Sequence, residues 1–132
     1  MKKILLFLLI ILGVFLSACS NDKNESKEFK MLEVKFLVPK TAKIKELVEL
    51  KAIVTYGDEK VKDANEVSFE YWEKGNRNKS TMVEAKNNKD GTYTANVSFD
   101  HAGAYEMYAH TTARDLHMMP KKSIEIRKAE AP

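Results

Sequence analysis

The sequence has a single cysteine, Cys19. No disulfide can form within the chain, and no thiolate cluster can hold a metal. The part of the chain beyond Cys19 must be held together by its core alone. No serine–histidine–aspartate or cysteine–histidine set, glycine-rich phosphate loop or paired-acid motif is present, so nothing points to an enzyme. No helical periodicity is visible after the first sixteen residues. The only long apolar run, Ile4 to Leu16, is too short to cross a bilayer comfortably. Charge bias is also missing. Lysine and arginine number 22 against 19 aspartate and glutamate. Without residues 1–18, which contain Lys2 and Lys3, the balance is 20 against 19, a net charge of +1. Nucleic acid is therefore not an expected partner.

What is present divides the chain into parts. Met1-Lys2-Lys3 and the apolar run form a secretory signal. It ends in Leu16-Ser17-Ala18-Cys19, which resembles a bacterial lipobox. The resemblance implies cleavage before Cys19 and a diacylglyceryl group on its sulfur; the alternative is an uncleaved anchor helix. Two or more acyl chains make a stable anchor where one is marginal. Residues 1–18 are thus read as signal peptide and 19–28 as the lipidated cysteine and a flexible linker without large apolar residues. Residues 29–127 are the domain and 128–132 a tail. The expected location is the extracytoplasmic face of the cell membrane of a Gram-positive type of cell.

From Phe29 onward the hydrophobic pattern has period two. Leu32 to Val38, Val48 to Tyr56, Val67 to Trp72, Thr81 to Lys86 and Tyr93 to Phe99 alternate, with turn residues between them. Two more strands flank Arg114-Asp115. About seven short strands at regular spacing predict an all-β, immunoglobulin-like β-sandwich. Asp100-His101-Ala102-Gly103-Ala104-Tyr105 resembles the tyrosine corner of such sandwiches and makes the last two strands F and G. Tyr105, Met107 and Ala109 should then face the core, and Tyr108 and His110 the other way. Met31 and Met82 are read as packing residues, His101 as a loop histidine, and Lys121-Lys122 as an edge guard.

The last hairpin carries the chemistry. With a two-residue loop at Arg114-Asp115, Thr112 opposes His117 and His110 opposes Met119, so both histidines and Met119 share a face. A three-residue loop would offer Met118 instead. Two imidazoles with a thioether suit copper, and thioether sulfur favours copper(I). The candidate metal ligands are His110, His117 and Met119 or Met118, with copper as the cofactor. Pro120 suggests an edge strand or a bulge.

Gly103 to Lys122, read as a whole, resembles the C-terminal part of the YtkA-like, or FixH-family, bacterial lipoproteins. The resemblance implies a small immunoglobulin-like domain and, by analogy, a link to assembly of copper-containing respiratory oxidases. FixH proper spans the membrane, whereas this chain resembles a lipid-anchored protein. Two functions follow as expectations. One is a copper-binding buffer or chaperone that passes the ion to an acceptor. The other is a metal-free interaction module docking on a membrane partner, such as an oxidase assembly complex.

Overall fold

A computed structural model describes residues 29–129. Cys19, the signal peptide, the linker and the end of the tail lie outside the described residues. Eleven strands and one 3₁₀ turn make up the domain, with no α-helix among the described residues.

One sheet contains β1 (Leu32–Leu37), β3 (Val48–Tyr56), β8 (Thr92–Val97) and β7 (Lys86–Asn87), in that order, with β4 (Glu59–Lys60) hairpinned onto β3. The other runs β2 (Thr41–Lys43), β11 (Lys121–Arg127), β9 (Gly103–Ala113), β5 (Glu66–Glu73) and β6 (Thr81–Glu84), with β10 (Leu116–Met118) paired to the end of β9. In sandwich lettering these are an A-B-E-D sheet and an A′-G-F-C-C′ sheet. That strand order is the immunoglobulin-like topology.

The chain switches sheets at two places, after the expected first strand and within the expected fourth. The first ends at Leu37, and after Pro39 the chain pairs with β11 as β2 instead, in parallel. Proline cannot donate to a ladder, so the switch falls there. The expected strand Thr81–Lys86 splits at Ala85, whose N–H donates to the Val67 carbonyl, and its two parts join opposite sheets as β6 and β7.

The core follows the parities read from the sequence. Leu32, Phe36, Leu50, Ala52 and Val54 from one sheet meet Phe69, Met107, Ala109 and Ile126 from the other, all buried. Phe36 stacks on Phe69 across the layer, ring centroids 5.4 Å apart. The tyrosine corner is formed: the Tyr105 hydroxyl donates to the His101 carbonyl at 2.9 Å, and burial raises the phenol's pKa. A second tyrosine does more than the pattern suggested. The Tyr93 hydroxyl donates to the Val61 carbonyl at 2.8 Å and accepts from the Ala64 N–H at 3.0 Å, fixing the Val61–Ala64 loop to the core.

Two methionines depart from expectation. Met31 and Met82 are exposed rather than packed. Met31 precedes β1, and Met82 lies opposite Glu70 on the outward face of an edge strand.

Candidate metal centre on the outward face of the last hairpin

The β9–β10 hairpin turns at Arg114 and Asp115, with φ of +51° and +59°. Both central residues are left-handed, the backbone of a type I′ turn, which matches strand twist but favours asparagine and glycine. Here the turn is held by ion pairs. Arg114 Nη1 donates to Asp63 at 2.9 Å and Nη2 to Glu59 at 3.4 Å.

The turn fixes the register expected for a two-residue loop. Ala113 opposes Leu116, Thr112 opposes His117 and Thr111 opposes Met118. Further along, Tyr108 opposes Lys121 and Gly103 opposes Ile126. The residue numbers of each pair sum to the same value, so one register runs unbroken from β10 into β11. Pro120 interrupts donation without adding a residue, and its carbonyl still accepts from the Ala109 N–H. The bulge considered for Pro120 does not occur. His110 therefore stands opposite Met119 and diagonal to His117. Met118 shares the inward parity of its partner Thr111 and leaves the histidine face. Both methionines are exposed.

From Tyr105 to Ala113, β9 alternates between buried and half-buried residues. Its outward row is Glu106, Tyr108, His110 and Thr112. The neighbouring row on β5 is Glu66, Ser68, Glu70 and Trp72, set by Ser68 opposite His110 and Glu70 opposite Tyr108. An aromatic series crosses this face. Trp72 and Tyr108 lie 5.3 Å apart, Tyr108 and His110 5.8 Å, and His110 and His117 5.8 Å, measured between ring centroids. The guanidinium of Arg77, on the 3₁₀ turn Arg77–Lys79, covers both Trp72 (5.2 Å) and Tyr108 (4.9 Å).

Each imidazole has one nitrogen engaged. His110 Nε2 is 2.9 Å from Glu70 Oε1. His117 Nδ1 is 2.9 Å from Thr112 Oγ1. With Nε2 of His110 and Nδ1 of His117 protonated, Nδ1 of the first and Nε2 of the second are free bases. A ring N–H given to a carboxylate or hydroxyl is how metal-binding histidines are commonly oriented. Glu70 is only 8% exposed. The hydrogen bonds from His110 and then Ser80 hold its carboxyl below the usual range against the effect of burial, and Arg77 adds its charge. Lys121, read as an edge guard, is instead committed to Glu106 at 2.6 Å, and this contact lowers the Glu106 pKa. A groove of about 800 Å³ lies further down β11, between Lys40, Lys74 and Ile124, and none of His110, His117 or Met119 lines it.

Among the described residues, no three of histidine, cysteine, aspartate or glutamate stand together as a metal group. The donor set on this face is two imidazoles and a thioether, a borderline-to-soft combination that fits copper better than calcium or magnesium. Sequence reasoning placed both histidines, Thr112 and Met119 on this face but missed Glu70, Trp72 and Arg77 beside them and the hydrogen bond between Thr112 and His117. Glu70 and Trp72 share a parity that was visible. Their place beside His110 depends on the β5–β9 register, which no local signal carries.

Fold and face together define an immunoglobulin-like β-sandwich with a histidine–methionine cluster on the outward side of its G-F-C sheet. The chain belongs to the YtkA-like family, whose model matches residues 26–110. The match ends at His110, so His117, Met118 and Met119 lie beyond it. No curated protein sequence matches the chain. Among solved structures, the CARDB domain of a Pyrococcus furiosus protein, in complex with di-metal ions, is similar at 15% identity and a TM-score of 0.46; the likeness covers 78% of this chain and 97% of that one. A superoxide reductase (neelaredoxin) from Ignicoccus hospitalis is similar at 15% identity and a TM-score of 0.46, over 82% of this chain and 89% of that one.

Proposed function

We propose that this protein is a lipid-anchored, extracytoplasmic copper-binding domain that buffers the ion or passes it to an acceptor at the membrane. His110, His117 and Met119 are the ligands, and Cys19 carries the anchor. The observation that supports this reading is the unbroken register from Ala113–Leu116 to Gly103–Ile126. It sets the three donor residues on one face of the hairpin, with the two imidazoles 5.8 Å apart. Glu70 and Thr112 orient the rings, and the thioether gives the set its preference for the reduced ion. Bound copper would be held by two neutral imidazoles and a sulfur that tolerate both of its oxidation states. Such a set suits carriage rather than catalysis.

The test is copper(I) titration against a competing chelator. The double variant His110→Ala/His117→Ala should lose nearly all binding while keeping the β-sheet circular dichroism. Wild-type affinity in the double variant would move the site elsewhere or remove it.

The edge of β10 supports a second reading. β10 pairs only with β9 among the described residues. An extended partner segment could add to it as a further strand. A chain that binds no copper but is cross-linked through Leu116–Met118 to a membrane protein would establish that reading in place of the first.

A further inference from the structure

The two ends of the sandwich differ. At one end the Arg114–Asp115 turn, the Gly57–Asp58 turn and the approach to β1 are knit together. The Gly57 N–H donates to the Met31 carbonyl at 3.0 Å, and Arg114 binds Glu59 and Asp63. Here Phe29, Met31 and Leu116 are 94%, 75% and 45% exposed. Three exposed large apolar side chains at one end of a small domain call for a partner surface. The charges around them cancel: Lys30, Lys60, Lys62 and Arg114 are offset by Asp58, Glu59, Asp63 and Asp115. At the other end lie the tyrosine corner and the exit of β11, where the Arg127 carbonyl accepts from the Ile44 N–H. Leu47 there is 69% exposed as well, but it is a single side chain beside the charged Lys45 and Glu46.

Chain length decides which end meets the bilayer if Cys19 carries lipid. Cys19 is ten positions before Phe29 (29 − 19), a span of at most about 36 Å when fully extended. The eleven residues of β9, at roughly 3.4 Å each, are about as long. The far end could touch the bilayer only with the connecting residues stretched taut along the whole sandwich. The near end needs no stretching.

We propose that the end of the sandwich carrying Phe29, Met31 and Leu116 rests on the lipid bilayer, with these side chains in its interfacial layer. The proposal rests on the lipid anchor put forward above. The occupant is the membrane itself, held by apolar contact and not by anionic headgroups, because the local charges cancel. The histidine face, which begins two residues beyond Asp115 at His117, then opens close to the membrane surface. An acceptor for its ion is accordingly a membrane-bound protein and not a freely diffusing one.

The test uses the full lipidated chain in phosphatidylcholine vesicles doped with brominated lipid. Leu116→Cys and Leu47→Cys, each labelled with a polarity-sensitive dye, report on opposite ends. Lipidated Cys19 has no free thiol, so wild type serves as the unlabelled control. The expected result is a blue-shifted, lipid-quenched dye at position 116 and an unshifted, unquenched dye at position 47. Equal quenching at both, or stronger quenching at 47, overturns the orientation while leaving the anchor intact. A blue-shifted but unquenched dye at 116 means that protein covers this end, and also overturns it. Dye uptake by Cys19 in the wild type removes the anchor, and the orientation falls with it.

Discussion

The outward faces of the two sheets are built from the same alternation yet differ in kind. On the A-B-E-D sheet the outward residues of the first two strands include Glu33, Lys35, Glu49 and Lys51, and no outward position of β1, β3 or β8 is buried. None of these four side chains makes an ion pair among the described residues. They form a charged face turned to water. On the G-F-C-C′ sheet, outward Ser68, Glu70 and Trp72 are all buried. Their cover is supplied by Arg77, Tyr108 and His110. A surface that buries a carboxylate must satisfy it, and this one does so with a histidine and an arginine. One outward face is thus partly buried under its own side chains, and the other is only wetted.

Matched substitutions on the two faces should therefore have unequal effects. The largest is expected at Trp72. Trp72→Ala removes a nearly buried ring and should cost about 3 kcal/mol in urea denaturation. Ile53→Ala, outward and half-buried on β3, should cost about 1 kcal/mol. Equal losses would erase the distinction.

Glu70 and Glu49 are the next pair. Glu70→Ala leaves the His110 N–H and the Arg77 guanidinium without their shared acceptor and should cost about 2 kcal/mol. Copper affinity should also drop about 10- to 100-fold, because the ring of His110 is no longer oriented. Glu49→Ala should stay within about 0.5 kcal/mol. The pair also separates by pH. The Glu70 carboxyl sits below its ordinary value of 4.5 in the folded chain. Its contribution is therefore complete above that value and is lost as pH falls through the lower, folded value. Thermal melts between neutral pH and pH 3 should show wild type losing stability below about 4.5 and Glu70→Ala losing less. Parallel curves would mean that Glu70 is not the group responsible.

Much of this was legible in the residues, and the limits have a physical origin. Period-two alternation sorted Tyr105, Met107 and Ala109 inward and Tyr108 and His110 outward, because strand geometry is local. The Arg114-Asp115 loop was legible in the same way, since the two flanking runs align about it. The sheet switches at Pro39 and Ala85, the hydroxyl of Tyr93 and the contact between Glu70 and His110 were not. Each depends on which distant strand lies alongside, and residues 70 and 110 are forty positions apart. Thr111 belongs with these. Its inward parity was implied, but its hydroxyl is buried without a hydrogen-bond partner among the described residues, a cost that no sequence pattern announces.

The smallest expected change in stability is also the sharpest probe of the outward G-F-C face. Met119 is 39% exposed and lies opposite His110 at the point where Pro120 interrupts the ladder. Met119→Leu keeps volume and apolar character, so stability should move by less than about 0.5 kcal/mol. If Met119 served only as cover, nothing else would change. If its sulfur is a ligand, copper(I) affinity should fall while copper(II) and zinc(II) affinities hold, because thioether sulfur discriminates in favour of the soft ion and imidazole does not. Met118→Leu is the matched control one residue away. It has similar exposure and the opposite parity, and it should leave all three affinities unchanged. Loss of copper(I) binding in both variants would show that the thioethers act as a loose pair at a mobile hairpin end. Loss in Met119→Leu alone ties the sulfur to the register, and with it the ion to the face that Glu70, His110 and His117 share.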